Sequence, residues 1–479
     1  MIKKKKKMST EEKKENLISS KDSQNEIRLS RCVRVFIFGI FWLIHFFNCS
    51  DGGVPSASSN NIKKDLNFTD TQFGQYGSIV QLGRMTGTLI VMSLLNVCSR
   101  KYLIFVALLF KCASFLIYFI SINYYVVMTF RYIQGVSHVF TYVYFPTWID
   151  QFGLQSSKTM MMSLIQTASP FGSVFGFSVT TFIGTHYWKW GFGILAFSIL
   201  PLNFFLLFIP DQYFSAKIFF KKKIEEKYDN GIIGTVSIFE EDETKKKKKE
   251  GNSNEKSDWW SMFDGVFIFI VLARTVIMFI FMGIHYWLGD YFVNVLEIKD
   301  NLAKTSSYGT ISLLGPFFGS MIGGAVCEKF GGYEKKSSIF VCIFFSVLTC
   351  ISGAIVPEVK SLGTFTAAVF AFFVFANCQM PILIGISFNC VPRSLKGASY
   401  GINSLMCTFL GNLLAPSVYG YLNDLFKMKD KRMAMRCVMN YIWINLIYLI
   451  LCAIFRYRKK DDIPIEENPN DGQEMQEKE

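Results

Sequence analysis

The chain has 479 residues, of which 51% are hydrophobic and only 18% charged, and its formal net charge is +13. A soluble chain is usually about a quarter charged. Here most charges fall in residues 1–34, 211–258 and 456–479, and long apolar runs lie between them. This pattern excludes an ordinary soluble domain. The basic residues flank apolar runs, where they determine membrane topology, so we expect no nucleic-acid partner.

Segments that are long and apolar enough to cross a bilayer occur along the whole chain. A spanning helix takes roughly 20 mainly apolar residues. Twelve segments qualify: 32–52, 72–96, 102–122, 124–150, 160–184, 190–209, 262–292, 305–327, 338–356, 361–389, 398–422 and 436–455. The predicted fold class is therefore an all-α membrane protein with twelve transmembrane helices and both chain ends on one side.

Polar segments divide the chain into units. Residues 211–257 carry two lysine runs and separate six apolar segments from six, which predicts a charged linker between an N-terminal half (32–210) and a C-terminal half (258–456). Residues 1–31 and 457–479 are predicted polar tails. We expect the protein to be a monomer that is surrounded by membrane lipids.

Lysine and arginine are unequally distributed between the two sides. The side of the chain ends and the linker collects most of them, which predicts that this side is cytoplasmic. No motif identifies the membrane, and a lysosome-like or vacuolar membrane and the plasma membrane both stay open. One loop disagrees with the predicted orientation, because its basic residues would lie outside: Lys427, Lys429, Lys431, Arg432 and Arg436.

Short stretches recur in the same order in the two halves. Tyr76–Ile79 recurs as Tyr308–Ile311, and Ser173–Phe177 recurs as Ser417–Tyr421. The step Ile44-His45 recurs as Ile284-His285. Common order favours an internal duplication, which is frequent in transporters.

Ionisable residues inside the predicted spans are the main functional candidates, because such groups are costly in a bilayer unless they face a cavity or a partner. We predict that five carry protons: Asp51, His138, His45, His285 and Asp290. Three are predicted to bind an anionic substrate: Arg84, Arg131 and Arg274. Structural ion pairs and hydrogen-bonded histidines are the alternative for each. Lys111 is expected to extend its ammonium toward the cytoplasmic surface, with a functional role inside the span as the alternative.

Small residues and prolines indicate helix packing and gating. Gly83 and Gly87, and likewise Gly315 and Gly319, have the spacing that allows close helix contact, and we expect them to line the sliding interface between the halves. Further candidates for packing or gating are Gly135, Gly172, Gly176, Pro170, Arg100 and Lys101. The sequence shows no catalytic triad and no metal-ligand cluster, so we expect neither an enzyme, a cofactor nor a metal.

Six plus six helices around a charged linker resemble the major facilitator superfamily. Within it, the motifs are similar to those of spinster-like transporters: Asp51, Leu66–Phe68, Asp70, Gly74, Ser99–Leu103, Arg131–Gly135, Pro146, Pro170, Gly172, Gly176 and Asp258–Trp260. Three positions depart from that pattern. Gly52 replaces the arginine that usually follows the acid, Asn96 replaces an aspartate, and His138 stands where the family has an acidic residue.

This resemblance implies a transporter that works by alternating access around one central site. Asp51, and after it His138, would couple proton movement to transport, and Arg84 and Arg131 would attract the negative group of the substrate. The implied substrate is a lysophospholipid or sphingoid lipid. Two alternatives stay open, a carrier of organophosphates, organic anions or other small solutes, and a sensor or scaffold that does not transport.

Overall fold

The computed structural model describes residues 30–94, 98–120, 122–153, 158–214, 263–332, 335–391, 396–426 and 430–458. In these ranges the chain forms twelve long helical segments, as the apolar runs predict. They are α1 (Arg31–Ala57), α2 (Asp70–Leu94), α3 (Arg100–Ile120), α4 (Tyr124–Phe152), α5 (Lys158–Ile183), α6 (Thr185–Leu206), α7 (Gly265–Asn294), α8 (Asn301–Lys329), α9 (Ser338–Glu358), α10 (Leu362–Asn389), α11 (Lys396–Met406, Cys407–Leu413 and Leu414–Phe426) and α12 (Met433–Arg458).

Nine of these described helices are long and apolar enough to cross a membrane. The other three, α2, α4 and α5, have 25, 29 and 26 residues and are less apolar, but they pack into the same bundle. The predicted all-α class with twelve helices is confirmed. We call the side where α1 begins and α12 ends the terminal side, and the opposite side the far side.

Four of the described helices are interrupted, α12 by a single turn residue at Tyr441. A 3₁₀ turn, Ser50–Gly52, breaks α1, and π-helical turns interrupt α8 at Thr310–Leu314 and α11 at Cys407–Leu413. A short helix, Ser59–Leu66, connects α1 to α2 on the far side. Irregular backbone at membrane depth is tolerated where it lies inside protein or lines a cavity. The break in α1 therefore marks the interior of the N-terminal half.

The same helix pairs form in both halves. In the N-terminal half, α2 packs on α4, α3 on α6 and α1 on α5. In the C-terminal half, the equivalent pairs are α8 on α10, α9 on α12 and α7 on α11. This equivalence supports the duplication that the repeated sequence stretches indicate.

The glycines of the paired motifs pack within the halves, so the prediction that they line the sliding interface is wrong. A Cβ at Gly83 would meet the Tyr132 carbonyl of α4, and one at Gly319 would meet the Val374 carbonyl of α10. The remaining glycines of this set also contact helices of their own half: Gly87, Gly135, Gly172, Gly176 and Gly315. Glycine spacing predicts a close helix contact, but the partner helix depends on how the bundle assembles.

The predicted gating residues after α2 bind inside the N-terminal half. Lys101 donates to the Leu207 carbonyl at 2.9 Å and pairs with Asp211 at 3.0 Å, while Arg100 donates to Gln151 at 3.1 Å. These contacts fasten α3 to the ends of α6 and α4, and a gating role remains a prediction. Pro170 lies inside α5 without ending the helix. Asn96, the linker 211–257 beyond Phe214, and most of both tails lie outside the described residues.

Part of the basic loop before α12 is neutralised by neighbouring acids on the far side. Arg436 forms a bidentate pair with Glu358, with N–O distances of 2.7 and 2.9 Å, and also pairs with Asp430 at 2.8 Å. Lys431 donates to the Asn294 carbonyl at 3.4 Å. The positive-inside rule counts lysines and arginines and not net charge, so these pairs explain how the basic residues are held but leave the conflict with the predicted orientation in place.

Candidate functional site

Asp51 is the anion of a buried ion cluster at the break in α1. It lies in the 3₁₀ turn and is only 2% exposed. The Lys111 ammonium of α3 lies 3.5 Å from its Oδ1, and the Arg131 guanidinium of α4 lies 3.7 Å from its Oδ2. Buried charges are tolerated when they are paired. The sequence alternative of a paired Asp51 and Arg131 is thus realised, with Lys111 as a further partner.

Lys111 is fully buried, so the prediction that it extends to the surface is wrong. Its Nζ donates to the Asn48 carbonyl at 2.6 Å and lies 3.5 Å from Nδ1 of His138. Asn48 is one residue from the end of the first segment of α1. Carbonyl groups at a helix end have no N–H donor within the helix, and the helix dipole favours a cation there. The break in α1 provides these partners inside the bundle.

Arg131 is held by a hydrogen-bonded chain of buried side chains. Its Nη1 donates to Gln134 at 2.6 Å, and the Gln134 amide donates to the Tyr118 hydroxyl at 3.0 Å. Tyr76 donates to Tyr118 at 2.9 Å, and the Arg131 guanidinium lies 4.6 Å from the centre of the Tyr76 ring. These contacts fix the arginine beside Asp51.

Two histidines border the cluster. His138 and His45 are 5% and 3% exposed, and their ring centres lie 6.1 Å apart. His138 contacts Lys111, whereas His45 lies beside the Cys49 thiol at 3.8 Å and its Nδ1 has no hydrogen-bond partner among the described residues. The predicted candidates Asp51, His45 and His138 therefore occupy one site.

Arg84 of α2 adds a third cation. It is partly buried, it interacts electrostatically with Asp51, Lys111 and His45, and its Nε has no partner in the described part of the chain. Three cations, Arg84, Lys111 and Arg131, thus surround one carboxylate when the histidines are neutral. The cluster has an excess of two positive charges, which favours an anionic ligand.

The remaining three candidates lie elsewhere. Nε2 of His285 is 2.9 Å from the hydroxyl of Tyr308, whose ring stacks on Phe177 of the N-terminal half at 4.0 Å. Asp290 lies at the far-side end of α7. Arg274 is 8% exposed, and its electrostatic neighbour is Cys407 of α11. The structure therefore does not bring these residues into the Asp51 cluster.

The two halves are fastened together on the far side by Lys63, which lies in the short helix after α1. Its Nζ lies 2.7 Å from both Asp70 of α2 and Asp290 of α7. Burial lowers the pKa of Lys63, but the carboxylates of Asp290 and Asp70 raise it more, so the net pKa lies above that of an ordinary lysine. The ammonium therefore stays charged at neutral pH and bridges the halves.

Further contacts close the same side. Asp424 of α11 accepts hydrogen bonds from the backbone N–H and the hydroxyl of Thr71, at 2.8 and 2.6 Å. The amides of Asn60 and Asn294 bond to each other at 2.8 Å. Gly74 lies so close to the Pro416 carbonyl that a Cβ would clash. We call this set of contacts the far-side gate, and it is closed.

We expect a reversible cross-link across the far-side gate to stop transport. Asn60→Cys together with Asn294→Cys, in a cysteine-free background, places two thiols where the amides now bond. A short bifunctional methanethiosulfonate should abolish uptake in the double variant, because the halves can no longer separate there, and a reductant should restore it. Each single variant treated in the same way is the control. Uptake by the linked protein at the unlinked rate would show that this gate does not open.

Sequence comparison identifies the class of protein. The model of the Major Facilitator Superfamily matches residues 41–416. The chain belongs to this superfamily, so it is a multi-pass membrane transporter and not an enzyme. The superfamily prediction is thereby confirmed. The search of curated protein sequences gave no match.

Solved transporters share the fold. The chain is similar to a bacterial homologue of the human lysosomal transporter Spinster in an inward-facing, unoccupied conformation, with 13% identity, a TM-score of 0.67, and coverage of 91% of this chain and 100% of that chain. The chain is also similar to the xylose transporter XylE from E. coli, with 15% identity, a TM-score of 0.62, and coverage of 89% of this chain and 97% of that chain. For the nucleoside transporter NupG, the identity is 11% and the TM-score 0.61, and the match covers 88% of this chain and 100% of that chain. The predicted resemblance to spinster-like transporters thus agrees with the fold.

Proposed function

We propose that this transporter is a proton-coupled carrier of an amphiphilic anion, such as a lysophospholipid or a sphingoid lipid phosphate. The observation that carries the proposal is the Asp51 cluster, in which one carboxylate is held by two buried cations and a third lies nearby. A carboxylate in such a place can exchange its cation partners for a proton when an anion arrives.

The charge of the cluster supports an anionic head group. Arg84 and Arg131 each have an Nε atom without a partner among the described residues, so both can donate to an oxyanion. Aromatic rings of α4 adjoin the cluster: the centre of the Tyr142 ring lies 6.0 Å from that of His45 and 6.2 Å from that of His138, and the Phe145 ring lies 6.1 Å from His45. Such rings provide an apolar wall for a hydrocarbon tail.

Proton coupling follows from competition for the same cations. When Asp51 is ionised, it holds Arg131 and Lys111. Protonation removes its charge and frees these cations for a negative substrate, so a proton and an anion enter together. His138, which contacts Lys111, is the second protonatable group that we assign to this route.

We assign the terminal side to the cytoplasm because most lysines and arginines lie there. With the far-side gate closed, the site would open toward the cytoplasm, which is the inward-facing state of an alternating-access cycle. Separation of Lys63 from Asp290 would be the step that opens the opposite side.

Uptake into proteoliposomes under an imposed pH gradient tests this function. We expect a labelled lysophospholipid to accumulate and a protonophore to prevent it. Glycerol phosphate and a sugar are offered separately. If only glycerol phosphate moves, the protein is an organophosphate carrier and the lipid assignment is wrong. If none of the compounds moves while lysolipid binding persists, the protein is a sensor, and the transport proposal fails.

A further inference from the structure

Arg274 is a buried cation without a counter-charge among the described residues. It lies on α7 in the C-terminal half and is 8% exposed, and its Nε and Nη1 have no hydrogen-bond partner in the ranges that the structure describes. No carboxylate in the described part of the chain pairs with it. A buried, unpaired guanidinium is costly. A guanidinium in this setting favours the binding of an anion.

One face of α11 offers further polar groups without partners. Ser399, Asn403 and Cys407 follow each other at intervals of four residues, so they share a helix face, and all three are buried. Nδ2 of Asn403 and Oγ of Ser399 have no partner among the described residues. The Asn403 carbonyl oxygen already accepts from the Cys407 thiol at 3.6 Å, which leaves the amide N–H groups for something else.

The packing of α7 on α11 brings Arg274 to this face. The hydroxyl of Thr275, the next residue on α7, donates to Cys407 at 3.9 Å, and Arg274 interacts electrostatically with the same thiol. Both helices run from the terminal side to the far side, and helical side chains incline toward the N-terminal end. This inclination would bring the Arg274 guanidinium toward the level of Asn403, one turn before Cys407.

The backbone of α11 changes at the same place. A π-helical turn begins at Cys407 and ends at Leu413. Such turns are rare and occur frequently at functional sites. Gly411 within this turn allows α7 to approach, since a Cβ there would meet the Thr275 carbonyl at 3.1 Å. The irregular turn and the unpartnered groups thus adjoin each other.

We propose that Arg274, Asn403 and Ser399 form an oxyanion subsite in the C-terminal half, separate from the Asp51 cluster, that binds a phosphate or carboxylate group. The inference deepens the proposed function and rests on it for the identity of the ligand. Two guanidinium N–H groups, the amide N–H₂ and the hydroxyl supply enough donors for one tetrahedral oxyanion. We refer to these three residues as the C-terminal subsite.

Binding to the purified full-length chain in detergent tests the subsite, with decyl phosphate and inorganic phosphate as separate probes in titration calorimetry. We expect Arg274→Gln to weaken decyl phosphate binding by at least about ten-fold, because charge-assisted hydrogen bonds are lost. Arg458→Gln makes the same substitution at an exposed position at the end of α12 and should leave affinity unchanged. Equal affinities for wild type and Arg274→Gln would overturn the proposal.

Asn403→Asp tests the subsite more directly than Arg274→Gln, because it supplies an internal carboxylate for Arg274. We expect this variant to lose decyl phosphate binding by at least about ten-fold while its melting temperature rises, because the internal carboxylate takes the place of the ligand. Asn403→Leu should lose affinity without that rise. A fall in melting temperature for Asn403→Asp with unchanged affinity would contradict the proposed subsite.

The two probes and a transport assay separate the possible failures. If inorganic phosphate binds as tightly as decyl phosphate and both depend on Arg274, the subsite takes a free phosphate. If decyl phosphate alone binds, it takes a lipid head group. Binding that depends on Arg274 without lysolipid uptake sustains the subsite and overturns the proposed transport. If lysolipid is taken up but the affinity for decyl phosphate does not depend on Arg274, the proposed subsite is overturned and the proposed transport is not.

Discussion

Asp51→Asn is expected to abolish uptake driven by a pH gradient and to destabilise the folded protein by about 3–5 kcal/mol. The side chain is 2% exposed and is the carboxylate that faces both Lys111 and Arg131. Asparagine has nearly the same shape, but it neither takes up a proton nor balances the two cations. Initial uptake rates in proteoliposomes and thermal unfolding in detergent measure the two effects.

Substrate exchange without a gradient distinguishes coupling from binding. A variant that has lost only the proton site should still exchange labelled for unlabelled lysolipid at equal pH, whereas a damaged binding site should not. Asp300→Asn is the control, because Asp300 is exposed and caps α8, and asparagine caps a helix equally well. Gradient-driven uptake by Asp51→Asn at the wild-type rate would refute the coupling role.

Lys111→Met is expected to have an effect on stability of similar size, again about 3–5 kcal/mol. Methionine fills most of the same space, but the Asn48 carbonyl loses its donor at 2.6 Å and Asp51 keeps only the 3.7 Å contact with Arg131. We also expect uptake to fall strongly, because Asp51 then keeps Arg131 as its nearest cation and binds it more firmly. Unfolding in detergent and uptake rates measure both.

A double-mutant cycle measures the interaction energy between Lys111 and Asp51. If Lys111 and Asp51 interact as the structure shows, the double variant Asp51→Asn/Lys111→Met should be less destabilised than the sum of the single variants, by about 0.5–3 kcal/mol. Lys329→Met, at the exposed end of α8, should change stability by at most about 0.5 kcal/mol. An equally small effect of Lys111→Met would mean that its ammonium reaches the membrane surface.

Lys111 shows why the site was only partly predictable. It lies in a run that is apolar on all sides, Phe110–Tyr118, so no hydrophobic period tells which face of α3 is buried. Its direction is set by the broken end of α1, which comes from a segment about 60 residues earlier. Asp51, His45 and His138 were recognisable because a charge or an imidazole in a membrane span already indicates function.

The far-side gate shows a second limit on what can be predicted from the sequence. Lys63, Asp70, Asp290 and Asp424 come from three separate parts of the chain. A lysine or an aspartate near the end of an apolar segment looks like an ordinary surface charge. The sequence pattern therefore does not indicate a role for Lys63 or Asp424, and it predicts Asp290 as a proton carrier and not as a partner of Lys63. Only the approach of the two halves brings Lys63 to Asp290 and Thr71 to Asp424.

The sequence by itself determined the twelve helices, the division into six plus six and the residues that are costly in a bilayer, because hydropathy and charge depend on local composition. Only the tertiary structure decided which of the charges meet. It buried Lys111 against Asp51, left Arg274 without a counter-charge among the described residues and placed the contacts of Gly83, Gly87, Gly315 and Gly319 within the halves. The physical reason is that an ion pair or a close helix contact depends on the relative placement of helices distant in sequence, and local patterns contain no information about it.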